Sequence, residues 1–389
     1  MAITDKKQGV WNLDEVYNKQ NEGDIWTYFG EGSFLIWGNN DGGQLGLNDT
    51  VDRSSPVQLP GTWNSVVAMG TGEGMSGGIK TDGTLWSWGY NNQGALGLND
   101  IVKRSSPTQI GTDTNWATGV LSSGNYWTLM LKTNGTLWSW GRNSEGELGQ
   151  NNNTAYSSPT QIGTDTTWNY AQDKCDQNNK MGAAIKTDGT LWTWGTQDQG
   201  GLGHNQANTT YSSPKQVGTN TTWNVVSAGG KQFAAIKTDG TLWACGQNDD
   251  YGNLGFNNRT SYSSPKQVGT DTTWSQVKCF NGITYAIKTN GTLWGIGNNS
   301  TGNLGLNDTN RRSSPTQIGT STNWESIRGC SNALAKVTKT DGTLWLWGRN
   351  SFGGAIPGGV DASSPIQIPG TTWGPVVGGG NYGVAAVTE

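Results

Sequence analysis

Hydrophobic and polar residues alternate along short stretches of this chain, and the stretches recur. Thr84-Leu85-Trp86-Ser87-Trp88-Gly89 places Thr84, Trp86 and Trp88 on one side of an extended strand and Leu85 and Ser87 on the other. Bulk on both sides predicts a strand held between neighbouring sheets. Asp82-Gly83 just before it reads as a two-residue turn pair of the kind tight hairpins prefer. The apolar run ahead of that turn, clearest as Ala234-Ala235-Ile236-Lys237, predicts the partner strand. Trp63-Asn64-Ser65-Val66-Val67 opens another. After an Asn- and Gly-rich loop from Tyr90 to Gly97, the segment ending at Ile110 predicts an outer strand. Its Pro107 suits an edge position, where a missing N–H is tolerated. The chain lacks the 3.6-residue period of helix-pair repeats.

This four-strand unit returns again and again. Ser-Ser-Pro ends at Pro56, Pro107, Pro159, Pro214, Pro265, Pro315 and Pro365, at intervals of 51, 52, 55, 51, 50 and 50 residues. Thr-Asp/Asn-Gly-Thr-Leu-Trp begins at Thr81, Thr133, Thr187, Thr238, Thr289 and Thr340. Four short antiparallel strands per unit predict an all-β fold, a seven-bladed β-propeller of four-stranded blades over residues 30–389. The first unit starts in mid-blade, with Trp37 in the register of Trp88. The chain stops after Val384-Ala385-Ala386-Val387-Thr388-Glu389, which matches Phe233 to Thr238. The C-terminal strand is therefore expected to pair with residues 33–38 and close the last blade.

Residues 1–29 stand outside the repeat as a short N-terminal arm. Asn12 is placed to cap a helix, with Glu15 returning to it and Trp11 stapled against Val16. So short a helix is marginal alone and must dock on something. Trp11, Leu13, Val16, Tyr17, Trp26 and Tyr28 are its candidate attachment residues, either onto its own propeller or onto a partner.

Composition narrows the chemistry. Only 14% of the 389 residues are charged, the net charge is −4, and no basic run occurs, which argues against nucleic-acid binding. No run approaches the ~20 apolar residues of a membrane span, and Lys6-Lys7 has no apolar stretch after it, so no secretory signal is expected. A single histidine, His204, rules out a multi-His metal cluster within the chain. Gly378 to Gly383 satisfies GxGxxG, but a strand follows where a dinucleotide fold needs a helix. Asn248-Asp249-Asp250 lacks calcium-loop spacing, and Asn134 and Asn290, though in Asn-x-Thr sequons, sit at hairpin turns. Cys175, Cys245, Cys279 and Cys330 fall in four different repeats without a CxxC pair, as buried free thiols would. No catalytic residue, metal or cofactor is assigned.

Function is sought where the units differ. From the opening tryptophan to the turn Asp/Asn, the distance is 19, 18 and 20 residues after Trp63, Trp116 and Trp168, but 16, 16 and 17 after Trp223, Trp274 and Trp324. Three adjacent lengthened loops on one face predict a binding patch of Glu73, Met75, Asn125, Tyr126, Trp127, Lys174, Asp176 and Asn178. Neutral loop drift is the competing explanation. Lys336 and Thr338 stand at apolar positions unless a one-residue bulge intervenes.

The phrase Asp-Gly-Thr-Leu-Trp-Ser-Trp-Gly-Tyr-Asn-Asn-Gln-Gly-Ala-Leu-Gly (82–97), recurring in order across residues 30–389, resembles the repeat of the regulator of chromosome condensation family. The resemblance implies a seven-bladed propeller. Family activities range over nucleotide exchange on a small GTPase, UV-B reception and β-lactamase inhibition, and no matched functional residue transfers for any of them. Gly9 to Tyr17, followed by Gly23-x-x-Trp26, is also similar to terminal segments of structural proteins of marine tailed phages. Two readings result. In the first, this is a non-enzymatic virion component of a phage tail or capsid surface, anchored to other virion proteins by its arm and facing a host-surface glycan or protein. In the second, it is a cytosolic protein-interaction scaffold or protein inhibitor.

Overall fold

A computed structural model describes residues 34–67, 74–124, 126–171, 180–248, 250–280, 282–331, 334–349, 361–368, 373–378 and 383–388. They form a propeller of four-stranded antiparallel sheets, and seven such sheets are present. Sheet 1 comprises Trp63–Val67, Met75–Lys80, Leu85–Gly89 and Arg104–Gln109. Sheet 2 comprises Trp116–Gly124, Trp127–Lys132, Leu137–Gly141 and Tyr156–Gln161. Sheet 3 has Trp168–Ala171, Met181–Lys186, Leu191–Gln197 and Thr209–Gln216, and sheet 4 has Trp223–Gly229, Gln232–Lys237, Leu242–Gly246 and Tyr262–Gln267. Sheet 5 has Trp274–Phe280, Ile283–Lys288, Leu293–Gly297 and Arg312–Gln317, and sheet 6 has Trp324–Ser331, Leu334–Lys339, Leu344–Gly348 and Ala362–Ile368. A composite sheet takes Trp373–Gly378 and Gly383–Thr388 from one end of the chain and Phe34–Gly38 and Arg53–Gln58 from the other. Phe34 pairs with Val387 and Trp37 with Val384, so the expected joining of the two chain ends is present.

Sheets 1 to 6 are each braced from within by one cluster. In sheet 1, Trp86 Nε1 donates to Thr84 Oγ1 at 2.8 Å, and that hydroxyl donates to Asp82 Oδ1 at 2.6 Å. Lys80 Nζ stands 3.5 Å from the Trp86 ring centre, with Trp63 edge-on to Trp86 beyond it. The same Lys–Trp–Trp group recurs at Lys132, Lys186, Lys237, Lys288 and Lys339. Asn134 and Asn290 take the aspartate's place, each accepting from a threonine hydroxyl at 2.7 Å. The turn differs from the two-residue expectation. Gly83 N donates to Lys80 O and Lys80 N to Thr84 O, so three residues span the tip, with Gly83 at φ +81°. Asp82 favours this form because its side chain also accepts from Thr84 N at 2.9 Å.

Neighbouring sheets are stapled by the two motifs that punctuate the chain. The second tryptophan of Trp-x-Trp is fully buried and donates backward to the preceding unit's Gly-x-Leu-Gly loop, found at Gly43–Gly46, Gly94–Gly97, Gly146–Gly149 and Gly302–Gly305. Trp88 reaches Gln44 O, Trp140 Ala95 O, Trp194 Glu147 O and Trp347 Asn303 O, each at 2.9 Å. The Ser-Ser-Pro segment receives the same loop further out. Asn99 N donates to Ser157 O at 2.7 Å, and a methyl group on Gly94 would lie 2.6 Å from Ser157 Cα. Asn48, Asn99, Asn151, Asn205, Asn257 and Asn307 all adopt left-handed φ between 55° and 63° to make this bond.

Lys336 and Thr338 are both fully buried. A register shift does occur in sheet 6, but between Ile327 and Gly329 on the first strand. The second strand therefore keeps its phase, and Lys336 and Thr338 hold the places of Ala234 and Ile236. Thr338 Oγ1 donates to Glu325 Oε2 at 3.3 Å.

Candidate functional site

Antiparallel order sends the loops after first and third strands to one face, and the Asp-Gly turns and inter-sheet linkers to the other. On the first face, loops of sheets 1 and 2 enclose a groove of about 700 Å³. The sheet 1 loop supplies Asn92, Gln93 and Ile101. The turn and loop of sheet 2 supply Tyr126, Arg142, Asn143, Ser144, Asn153 and Ala155. Ile101 is 71% exposed, the most of any large apolar residue among those described, and its neighbour Val102 is 58% exposed, close to Val51 at 60% in the preceding loop. Tyr126 is half-buried and packs on the core at the boundary of the two sheets. Its φ is +65°, a conformation that costs a bulky side chain energy and that Gly74 and Gly282 take at the same place in sheets 1 and 5.

The groove floor is rigid. Asn143 Oδ1 accepts from Leu148 N at 3.0 Å, and its amide donates to Asn152 O and Thr154 O at 2.9 Å. Arg142 Nε donates to Ser144 Oγ at 2.9 Å and lies 3.4 Å from Glu147 Oε1. Glu147 is fully buried, and its Oε2 accepts from Glu145 N at 2.6 Å. Burial pushes its carboxyl above the usual range, against the pull of those backbone amides and of Arg142. Lys180 of sheet 3 reaches Glu145 at 2.9 Å and ties the next sheet to the groove's edge.

The expected patch is only partly assembled here. Tyr126 lines the groove. Trp127 and Met75, expected as surface contacts, are instead core: each starts the second strand of its sheet, at 0% and 3% exposure. The physical reason is their register, opposite a glycine of the third strand, where Met181, Ile283 and Leu334 are buried too. That run of large apolar residues was the available signal. Glu73, Asn125, Lys174, Asp176 and Asn178 lie outside the described residues, as do Trp11, Leu13, Val16, Tyr17, Trp26 and Tyr28 of the arm. Ile101 and Arg142 were missed because they sit in loops of unchanged length.

The other chemistry is structural. His204 stacks edge-on against Tyr211 at 5.0 Å, with Nε2 2.9 Å from Thr193 Oγ1, and burial depresses its pKa to about 4. Cys245 and Cys279 are free and buried; burial raises both thiols, Cys279 to about 11. Among the described residues no group of three His, Cys, Asp or Glu side chains converges on a metal-sized site.

Comparison with known proteins agrees with this architecture. The family described as the RCC1-like domain matches residues 33–385. The human E3 ubiquitin-protein ligase HERC2 is 28% identical over 289 residues, which is 71% of this chain but 6% of HERC2. The Arabidopsis thaliana ultraviolet-B receptor UVR8 is 27% identical over 269 residues, 68% of this chain and 60% of the receptor. This chain thus spans less than two thirds of either relative. Among solved structures, human WBSCR16 superposes with a TM-score of 0.77 at 19% identity, covering 92% of this chain and 98% of that one. Prp20p of Saccharomyces cerevisiae superposes at 0.76 with 18% identity, covering 93% of each.

Proposed function

The chain belongs to the RCC1-like domain family, and from that premise we propose that it is a non-enzymatic, protein-binding propeller whose contact site is the groove between sheets 1 and 2. The observation that carries this reading is the strained Tyr126 beside the exposed Ile101 and Val102. A strained aromatic side chain and uncovered apolar residues around a rigid polar floor suit a hot spot with a polar rim. We read the seven sheets as seven blades of one closed ring. Contacts of each first strand with the next support this, since those of the composite sheet touch both sheet 6 and sheet 1. The solved relatives bear on partner class: Prp20p is described with binding to Gsp1p and histones, and yeast RCC1 (Prp20) is described bound to Kap60.

The virion reading rests on residues 1–29 alone, which lie outside the described residues and outside the family match. None of the relatives named above is a virion protein, and the partner is therefore assigned to the groove rather than to the arm. The test is affinity capture by the whole chain against a triple variant, Ile101→Ser, Tyr126→Gly, Arg142→Gln. Capture of a protein by the natural chain, weakened by at least about tenfold in the variant at unchanged melting temperature, is expected. Equal capture by both would refute the site.

A further inference from the structure

We propose that the flank of the propeller carries a repeated binding site for uncharged hexose units. A cavity of about 520 Å³ lies between the outer strand of sheet 2 and the tryptophans of sheet 3, and another of about 300 Å³ lies one step on, between sheets 3 and 4. Both fall in the size range of small-molecule sites. One register builds both. Ile162, Gly163, Trp168, Trp192 and Pro214 in the first correspond to Val217, Gly218, Trp223, Trp243 and Pro265 in the second. Neither cavity shares a residue with the groove between sheets 1 and 2, so this site stands apart from the protein-binding reading.

The wall of each cavity is a half-buried indole beside a proline. The indole nitrogens of Trp192 and Trp243 are already bound to Thr190 and Thr241 at 2.8 Å, so these two present ring surface, whereas the buried indole N–H groups of Trp168 and Trp223 in the same cavities have no hydrogen-bond partner among the described residues. Gly163 and Gly218 line the two cavities, and a Cβ at either would project into open space. Charge at both places is spoken for. Lys186 is paired with Asp165 and sits 4.0 Å from the Trp192 ring centre, and Lys215 donates to Tyr211 Oη at 2.7 Å. A charged ligand would find no uncompensated partner among these groups.

The polar side chains left to serve a ligand are neutral. Asn151, Gln161 and Ser213 in the first cavity, and Asn205, Asn220 and Ser264 in the second, make no side-chain hydrogen bond among the described residues. An apolar ring wall edged by unclaimed amides and hydroxyls matches a pyranose, which offers a C–H face to the indole and a rim of hydroxyls to the amides. Each hydroxyl both donates and accepts, as each amide does. Repetition at adjacent units lets weak single sites add through avidity on a glycan-bearing surface.

The experiment is saturation-transfer NMR of the whole chain with methyl glycosides of glucose, galactose, mannose and N-acetylglucosamine. A proline-rich decapeptide is the competing probe. Binding of at least one glycoside in the millimolar range is expected, with an immobilised polymer of that sugar held about a hundredfold more tightly. Trp192→Ala with Trp243→Ala should abolish binding. Because those indoles also brace Lys186 and Lys237, Ser213→Phe with Ser264→Phe, which fills the cavities from the outer strands, is the second variant. It should weaken binding at least about tenfold at unchanged melting temperature. No response from any glycoside, binding that survives the filled variant, or binding of the peptide in place of sugars would each overturn the proposal.

Discussion

Tyr126 and Glu147 carry the sharpest expectations at the scale of single residues. Tyr126 occupies a left-handed position that Gly74 and Gly282 occupy elsewhere, so Tyr126→Gly should leave melting within a few degrees of the natural chain while partner capture falls. Relief of about 1 kcal/mol of backbone strain would offset lost packing; a large drop in melting temperature would show that the tyrosine is kept for the core. Glu147 is a buried carboxylate where Gln44 serves the same loop, accepting from Gly42 N at 2.8 Å. Its folded pKa is raised from 4.5, so the favourable protonated form is present below that value and is lost as pH rises through the raised one. Glu147→Gln should therefore stabilise the protein at neutral pH by about 1 kcal/mol, with a smaller gain near pH 4. Calorimetry at both pH values decides, and equal effects would contradict the assignment. The turn aspartates run the other way. Threonine hydrogen bonds hold Asp82, Asp188, Asp239 and Asp341 below their usual 3.8. Their contribution is present above that value and disappears as pH falls through the lower one. Melting temperature should drop on acidification below it, and a Thr84→Val variant should show a shallower drop.

At the scale of strands and sheets, the repeats compensate across pairs. The second residue of the second strand faces the residue at the second tryptophan position, and large faces small: Ser76 opposite Trp88, Thr128 opposite Trp140, Gly182 opposite Trp194, and Ala335 opposite Trp347. Sheet 4 inverts this, with Phe233 opposite Cys245, and Phe233 takes the place against Gly203 that tryptophan takes against Gly97 and Gly149. Phe233→Ala should cost about 3–5 kcal/mol through the cavity it opens. Adding Cys245→Trp should recover part of that loss, although Cys245→Trp alone should destabilise by overpacking. Additive effects in denaturant unfolding would contradict the pairing. Strand identity and order were legible because the alternation and the Thr-Asp/Asn-Gly-Thr-Leu-Trp register recur in sheets 1 to 6, even where the second tryptophan is replaced, by Cys245 in sheet 4 and Ile296 in sheet 5. Two details were not. The register shift of sheet 6 falls on the first strand, between Ile327 and Gly329, where no apolar phase betrays it, while Lys336 and Thr338 hold the buried positions their register gives them. Trp127 was read as loop because its unit is longer, yet the extra length lies before it and its register matches Met75 and Met181.

For the whole molecule, the residues that hold the sheets together and those of the proposed contact site are different. Sheet-to-sheet bonds run through Gly-x-Leu-Gly and Ser-Ser-Pro, so the repeated residues are committed to holding the ring. The groove draws on residues that vary between units, namely Ile101, Tyr126 and Arg142. Comparison of the units within the chain singles out Tyr126 but not the groove it lines, because a groove forms between loops of two sheets and neither loop alone reveals it. The account rests on that groove binding a protein. The most direct test is a photo-crosslinking amino acid at Ile101, compared with one at Thr81 on the opposite face, in the otherwise natural chain. The account expects one protein adduct from position 101, absent from position 81 and lost when Tyr126→Gly and Arg142→Gln are added. The same adduct from both positions, or its survival in the substituted groove, would contradict it.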